Sequence, residues 1–180
     1  MHLTARVLSD VGSLRTDAFR AELRRVLAGA NLRGVSTFAV AVLDTHVHLI
    51  VKTRSRQALA DATRYVYSQL AAWLNRRDGR SGQVFVERFW STCARSVRQA
   101  WQVVGYVVAN PRAAGFLPWK KDGVDPNVMV NRPAIAADRF LRSVLGPTEA
   151  VQAEVMTRML AGTVPFVPLR ERMQPMLPGF

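Results

Sequence analysis

The chain has 180 residues, of which 49% are hydrophobic. This suits one domain, or one domain with an appendage, and is enough to bury a proper core. No apolar run reaches membrane-spanning length, and the start Met1-His2-Leu3-Thr4 lacks a basic region followed by an apolar stretch, so a soluble cytoplasmic protein is expected. The single cysteine, Cys93, excludes an internal disulfide and a thiolate metal cluster; it reads as a small buried hydrophobe.

The formal net charge of +12 is unevenly placed. Residues 1–118 carry 17 Lys/Arg against 7 Asp/Glu, whereas residues 119–180 carry 8 against 6. Such a basic domain is an electrostatic footprint for a polyanion, nucleic acid first. Arg outnumbers Lys 22 to 3, which favours bidentate contacts to phosphate or base edges.

In chain order, Leu3 to Leu8 reads as a strand. From Thr16, a natural N-cap, Phe19, Leu23, Val26 and Leu27 recur at helical spacing, and the pattern stops near Gly29. Gly34 to Leu43 is a second strand with Phe38, Val40 and Val42 alternating, and Asp44-Thr45 is a tight turn into a third strand, His46 to Thr53. A second helix runs from about Ser55 to Arg77, with Leu59, Val66, Leu70, Trp73 and Leu74 inward. After a loop at 78–82, Gln83 to Trp90 is expected as the fourth strand and Ser96 to Ala109 as a third helix. The order β-α-β-β-α-β-α predicts an α+β, ferredoxin-like sandwich with a central antiparallel sheet.

The expected boundary is residue 118. Beyond it, Trp119 to Pro133 reads as a loop, 134–145 and 148–160 as short helices, and the proline-rich stretch 165–180 as an extended tail. This helical and extended appendage (119–180) is expected to fold over the DNA face and temper activity, so that truncation after Pro118 would raise it.

The residues with the most chemistry are His46 and His48. On a strand their imidazoles share one face, opposite Val47, Leu49 and Val51, and the third helix would cover that side. Such a pair can hold a metal, or serve as structural histidines. Two ligands leave a catalytic site incomplete. His2 is distant in sequence, although the first strand can bring it near, and the amide oxygen of Asn110 is a hard ligand suited to magnesium or manganese. Tyr106 stands four residues before Asn110 and shares its helix face, while Pro111 biases Asn110 away from helical angles. Tyr106 alone is equally compatible with burial between helix and sheet, and Asn110-Pro111 with a simple helix stop.

Three segments occur in order: His46-Val47-His48-Leu49-Ile50-Val51, Gly82-Gln83-Val84-Phe85-Val86-Glu87-Arg88-Phe89-Trp90-Ser91 and Tyr106-Val107-Val108-Ala109-Asn110-Pro111-Arg112-Ala113-Ala114-Gly115. Together they resemble the single-tyrosine HUH transposases of the insertion-sequence superfamily. Within these the resemblance is to the REP-associated tyrosine transposases, where Tyr-x-x-x-Asn-Pro is typical. It covers roughly residues 3–118. It implies that Tyr106 attacks a single-stranded DNA phosphodiester at a hairpin or repeat, leaving a 5′-phosphotyrosine link and a free 3′-OH. It also implies that His46, His48 and Asn110 hold Mg2+ or Mn2+, in a cytoplasmic, nucleoid-associated enzyme. The chain departs from the family before the first histidine: Leu43-Asp44-Thr45 stands where most members carry Met-Pro-Asn. Asp44 is then a possible outer partner to an imidazole.

Arg88, Arg95, Arg98 and Arg112 lie near this site in sequence and are candidate phosphate contacts, although each also fits ordinary solvated surface. Trp90 and Trp101 can stack on unpaired bases, although core packing is the expected role of both. Tyr65 and Tyr67 have no metal-type residue at a matching spacing and read as packing or DNA contact. Two other functions compete. A non-catalytic nucleic-acid module would use the same sandwich, with Gly82 to Phe89 faintly like an RNA-recognition strand, but gives no reason for the histidine pair. A metal-dependent hydrolase would want another histidine or a carboxylate near it, and Asp44 is the close candidate in sequence.

Overall fold

Thr16 and Ser55 open the two long helices of the computed structural model, which describes residues 1–96, 99, 100, 102–104, 106, 107 and 128–130. The Thr16 hydroxyl accepts from the Phe19 amide and the Ser55 hydroxyl from the Ala58 amide, each satisfying a first-turn donor that the helix cannot. Helix α1 (Asp17–Leu32) and helix α2 (Arg56–Arg77) pack side by side. Their buried stripes are Phe19, Leu23, Val26 and Ala30 on α1, and Leu59, Ala62, Val66, Leu70 and Leu74 on α2. At about 1.5–3 kcal/mol for each large side chain buried, this seam is a principal source of stability.

Helix α1 runs three residues past the expected stop at Gly29. That glycine is an approach point, not a terminator: a Cβ there would lie 2.5 Å from the Tyr65 hydroxyl oxygen. The chain turns instead at Gly34, whose φ of 83° is open to glycine at no steric cost.

The strands are β1 (His2–Arg6), β2 (Val35–Val42), β3 (His46–Thr53), β4 (Trp90–Thr92) and β5 (Val128–Val130). They form one antiparallel sheet in the order β4-β1-β3-β2-β5. Its first four strands have the expected ferredoxin-like order, with α1 and α2 on one face. The Asp44-Thr45 turn is as expected, closed by the Leu43 amide donating to the His46 carbonyl at 2.9 Å.

Three expectations about strands are corrected. Gln83 to Trp90 is not a continuous strand: Phe85 forms an isolated bridge to Val7, and regular pairing begins only at Trp90. The segment expected as a loop around residue 128 contributes β5, which lies against Ala39, Val40 and Ala41. Phe38 does not share a face with Val40 and Val42. Thr37 pairs with Val51 and Ala39 with Ile50, so Phe38 is the extra residue of a β-bulge, which reverses its facing.

The sheet therefore separates two cores. Leu3, Val40, Val42, Val47, Leu49 and Val51 meet the two long helices. On the other face Phe38, Ala39, Ala41, Ile50 and Val128 meet Ala100, Val103 and Val107. The last three belong to a stretch whose described residues, 99, 100, 102–104, 106 and 107, are helical, so the expected third helix covers the expected face. Cys93, just past β4 at the sheet edge, is exposed rather than buried. The expected helices at 134–145 and 148–160 and the tail at 165–180 lie outside the described residues.

Candidate functional site

Strand register builds the site. Leu3, Ala5 and Val7 of the β1 segment are buried and alternate with His2, Thr4 and Arg6. Across β3, Thr4 lies opposite His48, Arg6 opposite His46 and His2 opposite Ile50. Across β4, Trp90 lies opposite Thr4. Directly paired residues project to the same side, so all three histidines, Thr4, Arg6 and Trp90 share the face covered by the third helix. On β2 the matching positions are Ala39 and Ala41, whose small side chains leave room for that helix.

The rings of Tyr106 and His48 stand edge to face, 5.5 Å apart at 87°. Tyr106 meets His2 at 5.7 Å, and His46 meets His48 at 4.9 Å. The expected cluster of His46, His48 and Tyr106 is thus assembled, although the residues come from positions 46 to 106 of the chain. Asn110, Arg98 and Arg112, like Trp101, lie outside the described residues. Arg88 and Arg95 are exposed on either side of β4, and neither contacts a histidine among the described interactions.

Burial and hydrogen bonding fix the state of the imidazoles. Burial, with the Met1 ammonium next, lowers His2 to about 4; burial, with His2 and His46 next, lowers His48 to about 3. Burial first and the Arg6 charge second hold His46 below the ordinary histidine value. All three are neutral at pH 7, the form that ligates metals. Thr4 Oγ1 lies 3.1 Å from His48 Nδ1, and Thr45 Oγ1 lies 3.1 Å from His46 Nδ1. With each Nδ1 occupied by a threonine, Nε2 is the nitrogen suited to a cation, and the hydroxyls are outer partners that orient the rings. His2 places its Nε2 3.0 Å from His48 Nδ1, behind the pair. Accordingly, among the described residues no three His, Cys, Asp or Glu side chains converge as a ligand group.

Asp44 is not the outer partner. Its carboxylate accepts from Ser13 Oγ at 2.5 Å, and its neighbour Thr45 meets His46 instead. Tyr67 is a packing residue, 4.3 Å from the Phe85 ring, with burial and then Glu87 raising its phenol well above the ordinary range. Tyr65 carries the Arg33 guanidinium 3.8 Å above its ring. Trp90 departs from its expected place in the core: it is 44% exposed, its ring 6.2 Å from His2.

Thr4, Arg6 and Thr45 carry no expected role in the sequence, and His2 enters only as a residue that the first strand can bring near. The signal for three of them was the polar alternation His2-x-Thr4-x-Arg6, the same period-two pattern that marks His46 and His48.

The chain superposes in part on a REP-associated tyrosine transposase solved bound to a REP hairpin. The TM-score is 0.53 at 19% identity, over 64% of this chain and 68% of that one. A putative transposase from Deinococcus radiodurans R1 aligns at a TM-score of 0.42 and 17% identity, over 56% of this chain and 83% of that one. No family model matches the chain, and no curated protein matches it. The first superposition shows a shared fold. No helix among the described residues is long and apolar enough to cross a membrane.

Proposed function

We propose that the protein is a metal-dependent tyrosine transposase that cuts and rejoins single-stranded DNA at hairpin or repeat elements. The observation that carries this reading is Tyr106, whose ring lies 5.5 Å from that of His48 on the face that also holds His46. Two neutral imidazoles on a rigid sheet and a phenol on the helix that covers it, in a basic domain, suit phosphoryl transfer to tyrosine.

His46 and His48 would hold Mg2+ or Mn2+ through the nitrogens that the threonines leave uncovered, and Asn110 would be the third protein ligand. A bound divalent cation supplies polarisation of the scissile phosphate and offsets charge on the leaving oxygen. Tyr106 Oη attacks the phosphorus. The new Tyr–O–P bond replaces the P–O3′ bond, and the departing 3′ oxygen takes up a proton in place of the one the phenol gives up. The 5′-phosphotyrosine link keeps the free energy of the diester, so a 3′-OH can reverse the step without ATP. Thr4 and Thr45 hold the imidazole rings in the ligating orientation.

The shared fold with a hairpin-bound transposase and the net charge of +10 in residues 1–118 support DNA as substrate. The test is incubation with labelled single-stranded hairpin oligonucleotides and manganese. The expected result is a covalent protein–DNA adduct, lost in Tyr106→Phe with binding retained. Cleavage without an adduct would instead favour hydrolysis by activated water, and an adduct surviving in the variant would remove Tyr106 as nucleophile. Asn110→Ala is expected to weaken manganese binding in calorimetry.

A further inference from the structure

We propose that Arg6 holds a DNA backbone phosphate beside the histidine pair, making it the substrate-anchoring residue of the site. The proposal rests on the transposase reading and extends it to a residue outside its nucleophile and ligand set.

Arg6 lies directly opposite His46 in the β1–β3 ladder, on the face of Tyr106, and is exposed. Its charge is felt at His46. Five other arginines of the described residues pair with carboxylates, Arg80 with Asp10, Arg20 with Asp17, Arg25 with Glu22, Arg64 with Asp61 and Arg77 with Asp78; what distinguishes Arg6 is its place opposite His46. Among the described residues no carboxylate meets Arg6. The Val86 amide does reach the Arg6 carbonyl, which brings Glu87 into the neighbourhood. The charge of Glu87, however, acts on Tyr67, whose partners Phe85 and Phe89 pack on the helix side of the sheet.

A guanidinium beside a cation site is unfavourable by itself, because it repels the metal that His46 would hold. The same arrangement becomes favourable once an anion lies between the two charges. A phosphodiester suits that position, since its two non-bridging oxygens match the guanidinium fork while the phosphate also faces the cation. Arg6 thus opposes metal binding in the free protein and favours it in the DNA complex.

That reversal of sign is the test, made in the full-length Tyr106→Phe background so that no cleavage occurs. Calorimetry with Mn2+ alone should show Arg6→Gln binding about two- to tenfold tighter than its parent, the size expected for removing one partly screened charge. With a single-stranded hairpin and Mn2+ together, Arg6→Gln should bind the DNA at least tenfold more weakly. The slope of log affinity against log salt should fall by about one. Arg6→Lys should restore the salt slope but only part of the affinity. Inorganic phosphate should compete only weakly, which separates a backbone phosphate held along a strand from a free-phosphate site. Unchanged DNA affinity and salt slope in Arg6→Gln would overturn the proposal, as would weaker binding of Mn2+ alone. Failure of the unsubstituted protein to form an adduct sinks the transposase reading, while the salt slope still decides Arg6.

Discussion

His2 Nε2 lies 3.0 Å from His48 Nδ1, in the interior, across the β1–β3 pair. A single proton occupies that line: a His48 whose Nε2 is bare donates through Nδ1–H to His2 Nε2, and a proton added at His2 Nε2 breaks the contact. His2 is lowered to about 4 and His48 to about 3, chiefly by burial. Below about pH 6.5 the unfolded chain takes up these protons and the folded one does not, so stability is complete above that pH and falls as pH decreases toward 4. The loss is at most about 1.4 kcal/mol per histidine for each pH unit. Urea midpoints should therefore drop between pH 7 and pH 5, and His2→Gln should show about half the drop. A midpoint flat over that interval would contradict the buried neutral pair.

Thr4 touches both members of the pair, 3.1 Å from His48 Nδ1 and 3.4 Å from His2 Nε2. Removing an outer partner of a ligating histidine typically costs about 10- to 100-fold in metal affinity. Thr4→Val, nearly equal in shape, should weaken Mn2+ binding by a factor in that range while Thr4→Ser retains most of it. Equal affinity in all three proteins would mean that the hydroxyl does not orient His48.

Trp90 is exposed on the open side of the site, opposite Thr4 and edge-on to His2. An indole so placed offers a stacking platform for an unpaired base, worth about 1–3 kcal/mol. Trp90→Ala should lower single-stranded DNA affinity by about 5- to 100-fold, with Trp90→Phe intermediate and Mn2+ affinity unchanged. Because the ring is only partly buried, thermal stability should change little. A large drop in stability with DNA affinity intact would return Trp90 to the core.

What the sequence made legible follows from periodicity. His46 and His48 can be assigned to one face because a strand alternates strictly, and the helix cap at Thr16 announces itself through a side chain that satisfies a backbone donor. Phe38 escapes the same rule: a bulge inserts one residue, and alternation cannot reveal it. The short β4 escaped because its pairing depends on the edge of β1, not on its own composition. Trp90 and Cys93 read as core by residue type, yet both fall at that edge, where little covers them. Gly29 read as a stop because the partner that requires it, Tyr65, lies on another helix.

β5 changes what truncation should do. Pairing of 128–130 with Ala39, Val40 and Ala41 gives β2 a neighbour on its outer side, and Val128 packs beside Phe38 in the core under the third helix. A chain ending at Pro118 leaves the β2 edge unpaired and removes an apolar side chain from the layer that seats Tyr106. Instead of raising activity by uncovering the DNA face, that truncation should lower the melting temperature and reduce adduct formation. A chain ending at residue 133 keeps the strand and should retain both. Higher adduct yield from the shorter chain, with an unchanged melting temperature, would show that β5 is dispensable to the site and that the segment beyond 118 restrains the reaction.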